Sequence, residues 1–258
     1  MNGTGRTRCP GRADSARPAG RIHSWDLSTG VDGPGTRFVL FTSGCPLRCL
    51  YCQNPDTWHM RDGRAVTVDE VMARIESCRP FLTASGGGVT VSGGEPLLQP
   101  AFTGEVLRRC KELGLHTALD TSGNLGARAG DALLGSTDLV LLDIKSFDGR
   151  VYRRLTGGAP APTLRFARRL DALGTRVWVR YVLVPGWTDA EADVDGLAAF
   201  VAGLACVDRV DVLPFHKLGA GKYEALGLPF PLRNTRTPDA ALVRRVRQQF
   251  RAHGLRAD

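Results

Sequence analysis

Six strand-like apolar runs alternate with helix-like stretches along this 258-residue chain, and each run ends in polar groups that a hydrophobic core would reject. The runs are Arg37–Thr42, Gly88–Ser92, His116–Asp120, Asp138–Lys145, Thr175–Val184 and Arg209–Phe215. Alternation of this kind builds parallel strands joined by right-handed helical crossovers. The first run leads into a cysteine loop, the second into Ser92-Gly93-Gly94-Glu95-Pro96 and the third into Asp120-Thr121-Ser122-Gly123-Asn124. The fourth ends in Asp143-Ile144-Lys145, the fifth carries Arg180-Tyr181, and the sixth runs into Pro214-Phe215-His216-Lys217. Parallel α/β folds gather their sites at the carboxyl ends of strands, so these clusters predict one site on one rim. Six strands instead of eight predict a partial, open (β/α)6 TIM-like barrel of parallel strands, with a lateral mouth suited to a macromolecular substrate.

The helical stretches carry start signals. Thr67-x-x-Glu70 reads as a capping box ahead of the apolar face Val71, Met72 and Ile75. Thr188-x-x-Glu191 repeats it ahead of Val194, Leu197, Ala198, Val201 and Leu204. Thr237-Pro238 offers an N-cap and a first-turn proline before Leu242, Val246 and Phe250. No repeat or second domain is visible. Residues 1–20, basic and rich in Gly and Pro, read as a disordered extension, and 21–258 as one core domain.

Cys45, Cys49 and Cys52 stand in Gly-Cys-Pro-Leu-Arg-Cys-Leu-Tyr-Cys-Gln-Asn, a C-x3-C-x2-C spacing on a short loop. Three thiolates without a fourth suit an iron–sulfur cube with one iron left open for chemistry. A zinc knuckle is a second reading, with His59 as fourth ligand seven residues beyond Cys52. A disulfide plus a spare thiol is a third. Of the other four cysteines, Cys9 lies in the extension, while Cys78, Cys110 and Cys206 fall in helical stretches and read as small buried hydrophobes.

The net charge of +8 sits at the ends: residues 1–21 carry +4, 231–258 carry +5, and the body between them −1. The body shows no aromatic-plus-basic platform, so no nucleic-acid partner is expected. No run of 18 apolar residues is present, and the amino terminus lacks the apolar segment of a secretory signal, so neither membrane insertion nor export is expected and the location reads as cytoplasmic.

The motifs together resemble a known family. C-x3-C-x2-C with Tyr51 before the last cysteine, followed by a Gly-Gly-Glu strand end, resembles radical S-adenosylmethionine (SAM) enzymes. GRIHSWDLSTGVDGPGTRFVLFTSGCPLRCLYCQNPDTW, ASGGGVTVSGGEPLLQ, HTALDTSG, TDLVLLDIK, VWVRYVLVPGWTD and LPFHKLG, in that order from about Gly20 onward, resemble the pyruvate formate-lyase activating enzymes, activases of glycyl radical enzymes.

The resemblance implies a 4Fe–4S cluster on Cys45, Cys49 and Cys52, with SAM chelating the open iron. It also implies reductive cleavage of SAM to methionine and a 5′-deoxyadenosyl radical, which removes a hydrogen from a partner's glycine. The protein's part is orientation and exclusion of water. Gly93, Gly94 and Glu95 are then expected at the methionyl amino group. Tyr51, Cys52, Gln53, Asp143, Ile144, Lys145, Arg180 and His216 complete the SAM site, with Asp143 and His216 sharing a hydrogen bond. Asp120 and Thr121 are expected to hold a monovalent cation, and Asp32, in a glycine-rich loop near the cluster, to contact the incoming glycyl loop.

The implied partners are a glycyl radical enzyme, foremost pyruvate formate-lyase, and a flavodoxin or ferredoxin electron donor. Another glycyl radical enzyme, or a small-molecule substrate, is the alternative. Three positions depart from the family pattern: Gln53 replaces a histidine, Pro46 an aliphatic residue and Leu141 a methionine. Only 40 residues separate Cys52 from Gly93, which leaves no room for an auxiliary-cluster insert.

Overall fold

The computed structural model of the chain describes residues 19–258. Most of the basic extension, with Cys9, lies outside the described residues. Ala19 and Gly20, assigned to that extension from sequence, instead open the first strand.

Eight strands form one open sheet in the order β3-β1-β2-β4-β5-β6-β7-β8. Six of them are the expected parallel set: β2 (Thr36–Thr42), β4 (Gly88–Gly93), β5 (His116–Thr121), β6 (Leu139–Asp143), β7 (Arg176–Leu183) and β8 (Val207–Pro214). The other two, β1 (Ala19–Thr29) and β3 (Arg64–Thr67), add antiparallel pairs at one edge. Sequence reading passes over both for physical reasons. β1 is a half-exposed strand of mixed polarity, AGRIHSWDLST, and β3 is only four residues long.

Strand period places the site. Val89 and Val91 of β4, Leu119 of β5, Val140 and Leu142 of β6, and Val177 and Val179 of β7 enter the main core. They pack there with Val71, Met72 and Ile75 of α1 (Val68–Ala84), Val106 of α2 (Pro100–Glu112), Leu197 of α6 (Glu191–Ala202) and Phe250 of α8 (Ala240–Ala252). The alternate residues face away from the helices. Ala118, Leu139, Leu141 and Trp178 form a small apolar floor on that second face. Ser92, Asp120, Asp143 and Arg180 continue it toward the carboxyl ends.

The capping box of α1 forms as expected: Thr67 Oγ1 accepts from the Glu70 backbone N–H, and the Glu70 carboxylate accepts from the Thr67 N–H at 2.6 Å. The other two start signals do not hold. The Thr188 hydroxyl accepts from Val184 N–H and donates to Val182 O, both at 2.8 Å, closing the turn after β7. Helix α6 begins behind Ala190 without a side-chain cap. Helix α8 is capped by Asp239, whose carboxylate accepts from Leu242 N–H, two residues past the expected Thr237. Cys110 is buried in α2, Cys78 is half-buried, and Cys206 sits in the turn before β8 instead of in a helix.

Candidate active site at the carboxyl ends of the strands

The cysteine loop is held by backbone from several parts of the chain. Gly44 N–H donates to Thr57 O at 2.6 Å and Cys45 N–H to Trp58 O at 3.0 Å. On its far side Arg48 N–H donates to Thr156 O and Leu50 N–H to Leu155 O, at the end of α4 (Gly149–Thr156). Beneath it runs the Gly93-Gly94-Glu95 turn: Gly94 N–H donates to Thr42 O and Glu95 N–H to Gly44 O, both at 2.8 Å. Gly93 has φ +114, and a Cβ there would meet the Thr42 backbone at 2.3 Å. One on Gly94 would meet Gly44 O at 2.4 Å. Only glycine allows these approaches.

A cavity of about 260 Å³ opens beside the loop. Cys45, Cys49, Cys52, Tyr51 and Gln53 line it from the loop, and Gly93, Gly94, Asp120, Thr121, Asp143, Lys145, Arg180 and His216 from the strand ends. Two ion pairs order its floor. Lys145 Nζ lies 2.9 Å from Asp143, and Arg180 Nη1 lies 3.2 Å from Asp120, reaching across β6. Burial alone would lower Lys145, but Asp143, Tyr51 and Cys49 outweigh it and hold the ammonium well above its ordinary value. Burial raises Asp120, against the pull of Arg180. Asp120 Oδ2 accepts from the Ser92 hydroxyl at 2.6 Å, whereas Oδ1 is buried without a partner. The Tyr51 hydroxyl is likewise unpartnered. Orphaned buried polar atoms at a cavity wall are ones a ligand satisfies.

The loop fits an iron–sulfur cluster better than the alternatives. All six described cysteines are free thiols, which removes the disulfide reading. Among the described residues no three His, Cys, Asp or Glu side chains are grouped to hold a single ion. His59 is exposed and does not line the cavity, so the zinc reading lacks its fourth ligand. Burial pushes the Cys45 thiol up to about 12, with Glu95 adding to it. It pushes Cys49 up to about 11 despite Lys145, and raises Cys52 despite backbone and Trp58 hydrogen bonds. Thiols so placed become thiolates only beside strong positive charge, which cluster iron supplies.

Several expected residues behave differently from their sequence reading. The Glu95 carboxylate does not line the cavity: it accepts from Thr121 Oγ1 at 2.6 Å, Ser122 Oγ at 2.5 Å, Ser122 N–H and Leu97 N–H. It clamps two strand ends together, and it takes the Thr121 hydroxyl away from any cation. Ile144 points into the helix-side core. Asp143 and His216 share no hydrogen bond; Asp143 pairs with Lys145, and His216 Nδ1 accepts from Leu218 N–H at 3.4 Å.

Asp32 does not line the cavity. It lies in the β1–β2 turn, before β2, whereas the cysteine loop follows β2, and it folds back to the level of Val39 and Thr90 in mid-strand. Thr90 Oγ1 donates to its backbone oxygen at 2.6 Å, and its charge is felt by Asp120 and Arg180.

Gln53 acts as a clip: its amide donates to Tyr51 O and His216 O and accepts from Gly219 N–H at 2.8 Å. Sequence reading missed Leu47, Asn54, Val182 and Leu213 as lining residues. Val182 was legible as the next same-face residue after Arg180, and the others had no local signal.

Comparison with known proteins follows the same lines. Residues 39–197 match the radical SAM superfamily. The chain is 44% identical over 242 residues to the pyruvate formate-lyase-activating enzyme of Staphylococcus epidermidis, covering 91% of this chain and 96% of that protein. A crystallised domain of pyruvate-formate lyase-activating enzyme from Bacteroides vulgatus superposes with a TM-score of 0.57 at 28% identity, covering 67% of this chain and 98% of that one. Streptococcus suis SuiB bound to its precursor peptide SuiA shares the fold, with a TM-score of 0.64 at 18% identity over 84% of this chain and 45% of that one.

Proposed function

The chain belongs to the radical SAM superfamily and, within it, to the pyruvate formate-lyase-activating enzymes, and from that membership we propose that it generates the glycyl radical of pyruvate formate-lyase. The observation that carries the reading is the set of three thiols facing Gly93, Gly94 and the paired charges of Asp143, Lys145, Asp120 and Arg180 across one cavity. When bound, a 4Fe–4S cluster and SAM supply a one-electron cleavage whose outcome is removal of a hydrogen atom from a glycine.

The residues of the chain bind, orient and exclude water. Cys45, Cys49 and Cys52 would hold the cluster. The close-set backbone of Gly93 and Gly94 would meet the methionyl amino group, and the Lys145 ammonium a carboxylate or ribose oxygen. Tyr51 and the loop clipped by Gln53 would flank the adenine, with Arg180 and His216 completing the rim. The unpartnered Asp120 Oδ1 is the oxygen left for a monovalent cation. Leu47, Val182, Leu213 and Phe215 give the cavity an apolar wall. Asp32, held at Thr90 below Asp120 and Arg180, would meet the substrate on the same face. Hydrogen-atom transfer requires no acid–base pair, and none is assigned. Among the described residues no helix is long and apolar enough to cross a membrane, and we place the reaction in the cytoplasm.

The test is anaerobic reconstitution, reduction and incubation with SAM and pyruvate formate-lyase. Methionine, 5′-deoxyadenosine and an electron paramagnetic resonance doublet on the lyase are expected. SAM cleavage with no doublet on the lyase would assign another substrate. Stoichiometric zinc in an active protein would sink the reading altogether.

A further inference from the structure

Four exposed arginines, Arg48, Arg150, Arg153 and Arg154, form no ion pair among the described residues. Arg150, Arg153 and Arg154 line a groove on α4 that continues to Pro160. Arg48 stands in the cysteine loop, outside the cavity, with its guanidinium 5.0 Å from the Trp58 ring. The one acid in the groove, Asp148, is engaged in capping α4 through Arg150 N–H and Val151 N–H. Positive charge near a helix carboxyl end is ordinary, but three arginines against one carboxylate leave this concave surface with net positive charge.

Its position gives it a use. The last carbonyls of α4, Leu155 O and Thr156 O, accept from Leu50 and Arg48 N–H of the cysteine loop, so the groove backs directly onto the loop. The Trp58 side chain, stacked under Arg48, hydrogen-bonds to Cys52. The opposite side of the loop faces the cavity, which SAM and substrate would fill. Resting on the function proposed above, each turnover needs one electron from outside, and the outer side of the loop is the approach that remains.

We propose that the groove on α4 and the adjoining Arg48 form the docking surface for an acidic one-electron carrier protein. The reduced carrier would give up one electron, for which Cys45, Cys49 and Cys52 would hold the accepting cluster, and no atom or proton would be transferred. Small, charged, weakly bound interfaces suit such encounters, because steering raises the association rate without holding the product complex.

An acidic flavodoxin is the probe, and its dissociation constant for the reconstituted protein without SAM is the readout. Arg150→Glu combined with Arg153→Glu should weaken binding tenfold or more at low ionic strength and flatten its salt dependence. SAM cleavage driven by a small-molecule photoreductant should stay within twofold. Unchanged flavodoxin affinity would overturn the proposal, as would equal affinity of the unmodified protein for a single-stranded RNA oligomer. Loss of chemically driven cleavage in the unmodified protein would strike the proposed function instead, so the two failures are distinguishable. A second variant, Arg153→Gln alone, should give an intermediate affinity, and no change there would also count against the groove.

Discussion

Arg37 Nη1 lies 3.1 Å from Nδ1 of His116, and because a guanidinium can only donate, that imidazole nitrogen is the acceptor and the ring is neutral with its proton on Nε2. Arg37 itself is fully buried, donating to Thr90 Oγ1 and to the carbonyls of Val89 and His116. Burial brings it down to about 10. It ties the amino-terminal ends of β2, β4 and β5 together.

This pairing has a pH signature. Burial first, then the Arg37 charge, hold His116 below its ordinary value of 6.5. Between that lowered value and 6.5 the unfolded chain binds more protons than the folded one. The stabilising effect is therefore complete above 6.5 and is lost as pH falls through the lowered value. His116→Gln keeps an acceptor for Arg37 and removes the titration. Denaturant midpoints followed from roughly pH 7 to pH 5 should fall more steeply for the unmodified protein than for the variant. Parallel curves would refute the assignment.

Changing any one of Cys45, Cys49 or Cys52 to Ala should abolish the cluster, read as iron and sulfide content and visible absorbance. Cys78→Ala and Cys206→Ala should leave both unchanged. Cys110→Ala should also keep the cluster while lowering stability by about 1 kcal/mol, since its thiol fills core space against Met72.

Gly93→Ala sets a methyl against the Thr42 backbone at a φ that side chains avoid. A loss of about 2–4 kcal/mol is expected from the strain and the displaced β2 end. The measurement is the urea midpoint of the cluster-free protein. A shift under about 0.5 kcal/mol would mean that the turn does not support the loop in this way.

Asp143→Asn leaves the Lys145 ammonium buried beside an uncharged partner. The pair is largely shielded, with side chains 20% and 11% exposed, so a loss of roughly 2–4 kcal/mol is expected, together with weaker SAM binding by titration calorimetry. Unaltered SAM affinity would remove Lys145 from the cofactor shell.

Gln53→Ala should lower SAM affinity while cluster content holds, because it frees the β8 loop at His216 and Gly219 without touching a thiol. Loss of three hydrogen bonds predicts about 1–2 kcal/mol of stability, given the half-exposed setting. Loss of the cluster itself would show that the clip sustains the cysteine loop.

Legibility from sequence followed the range of each interaction. The parallel strands were readable because β4 and β6 are nearly continuous buried apolar runs while β7 and β8 alternate, and the cavity's location followed from their polar carboxyl ends. Thr67 and Glu70 were readable because a capping box is local. Thr188 carried the same spacing but was captured by Val182 and Val184 of its own turn, a choice that only tertiary geometry decides. Glu95 shows the same limit at the site: nothing local reveals that Thr121 and Ser122, on the next strand, consume its oxygens. The glycine-rich loop of Asp32 is held by Thr90 on a neighbouring strand, a contact with no local signal, and the antiparallel β1 that delivers it is a half-exposed strand of mixed polarity.

The backbone anchors of the cysteine loop also set an order of events during synthesis. Its partners on one side, Leu155 and Thr156, are made about a hundred residues after Cys49. Until α4 has emerged and docked, the loop that carries the three thiols lacks its anchors at Arg48 and Leu50. A loop that holds its shape only with α4 in place should take up its cofactor only after that distant part of the polypeptide arrives. A nascent chain halted before Gly149 should be alkylated at those cysteines as fast as a free peptide, and one extended past Thr156 more slowly.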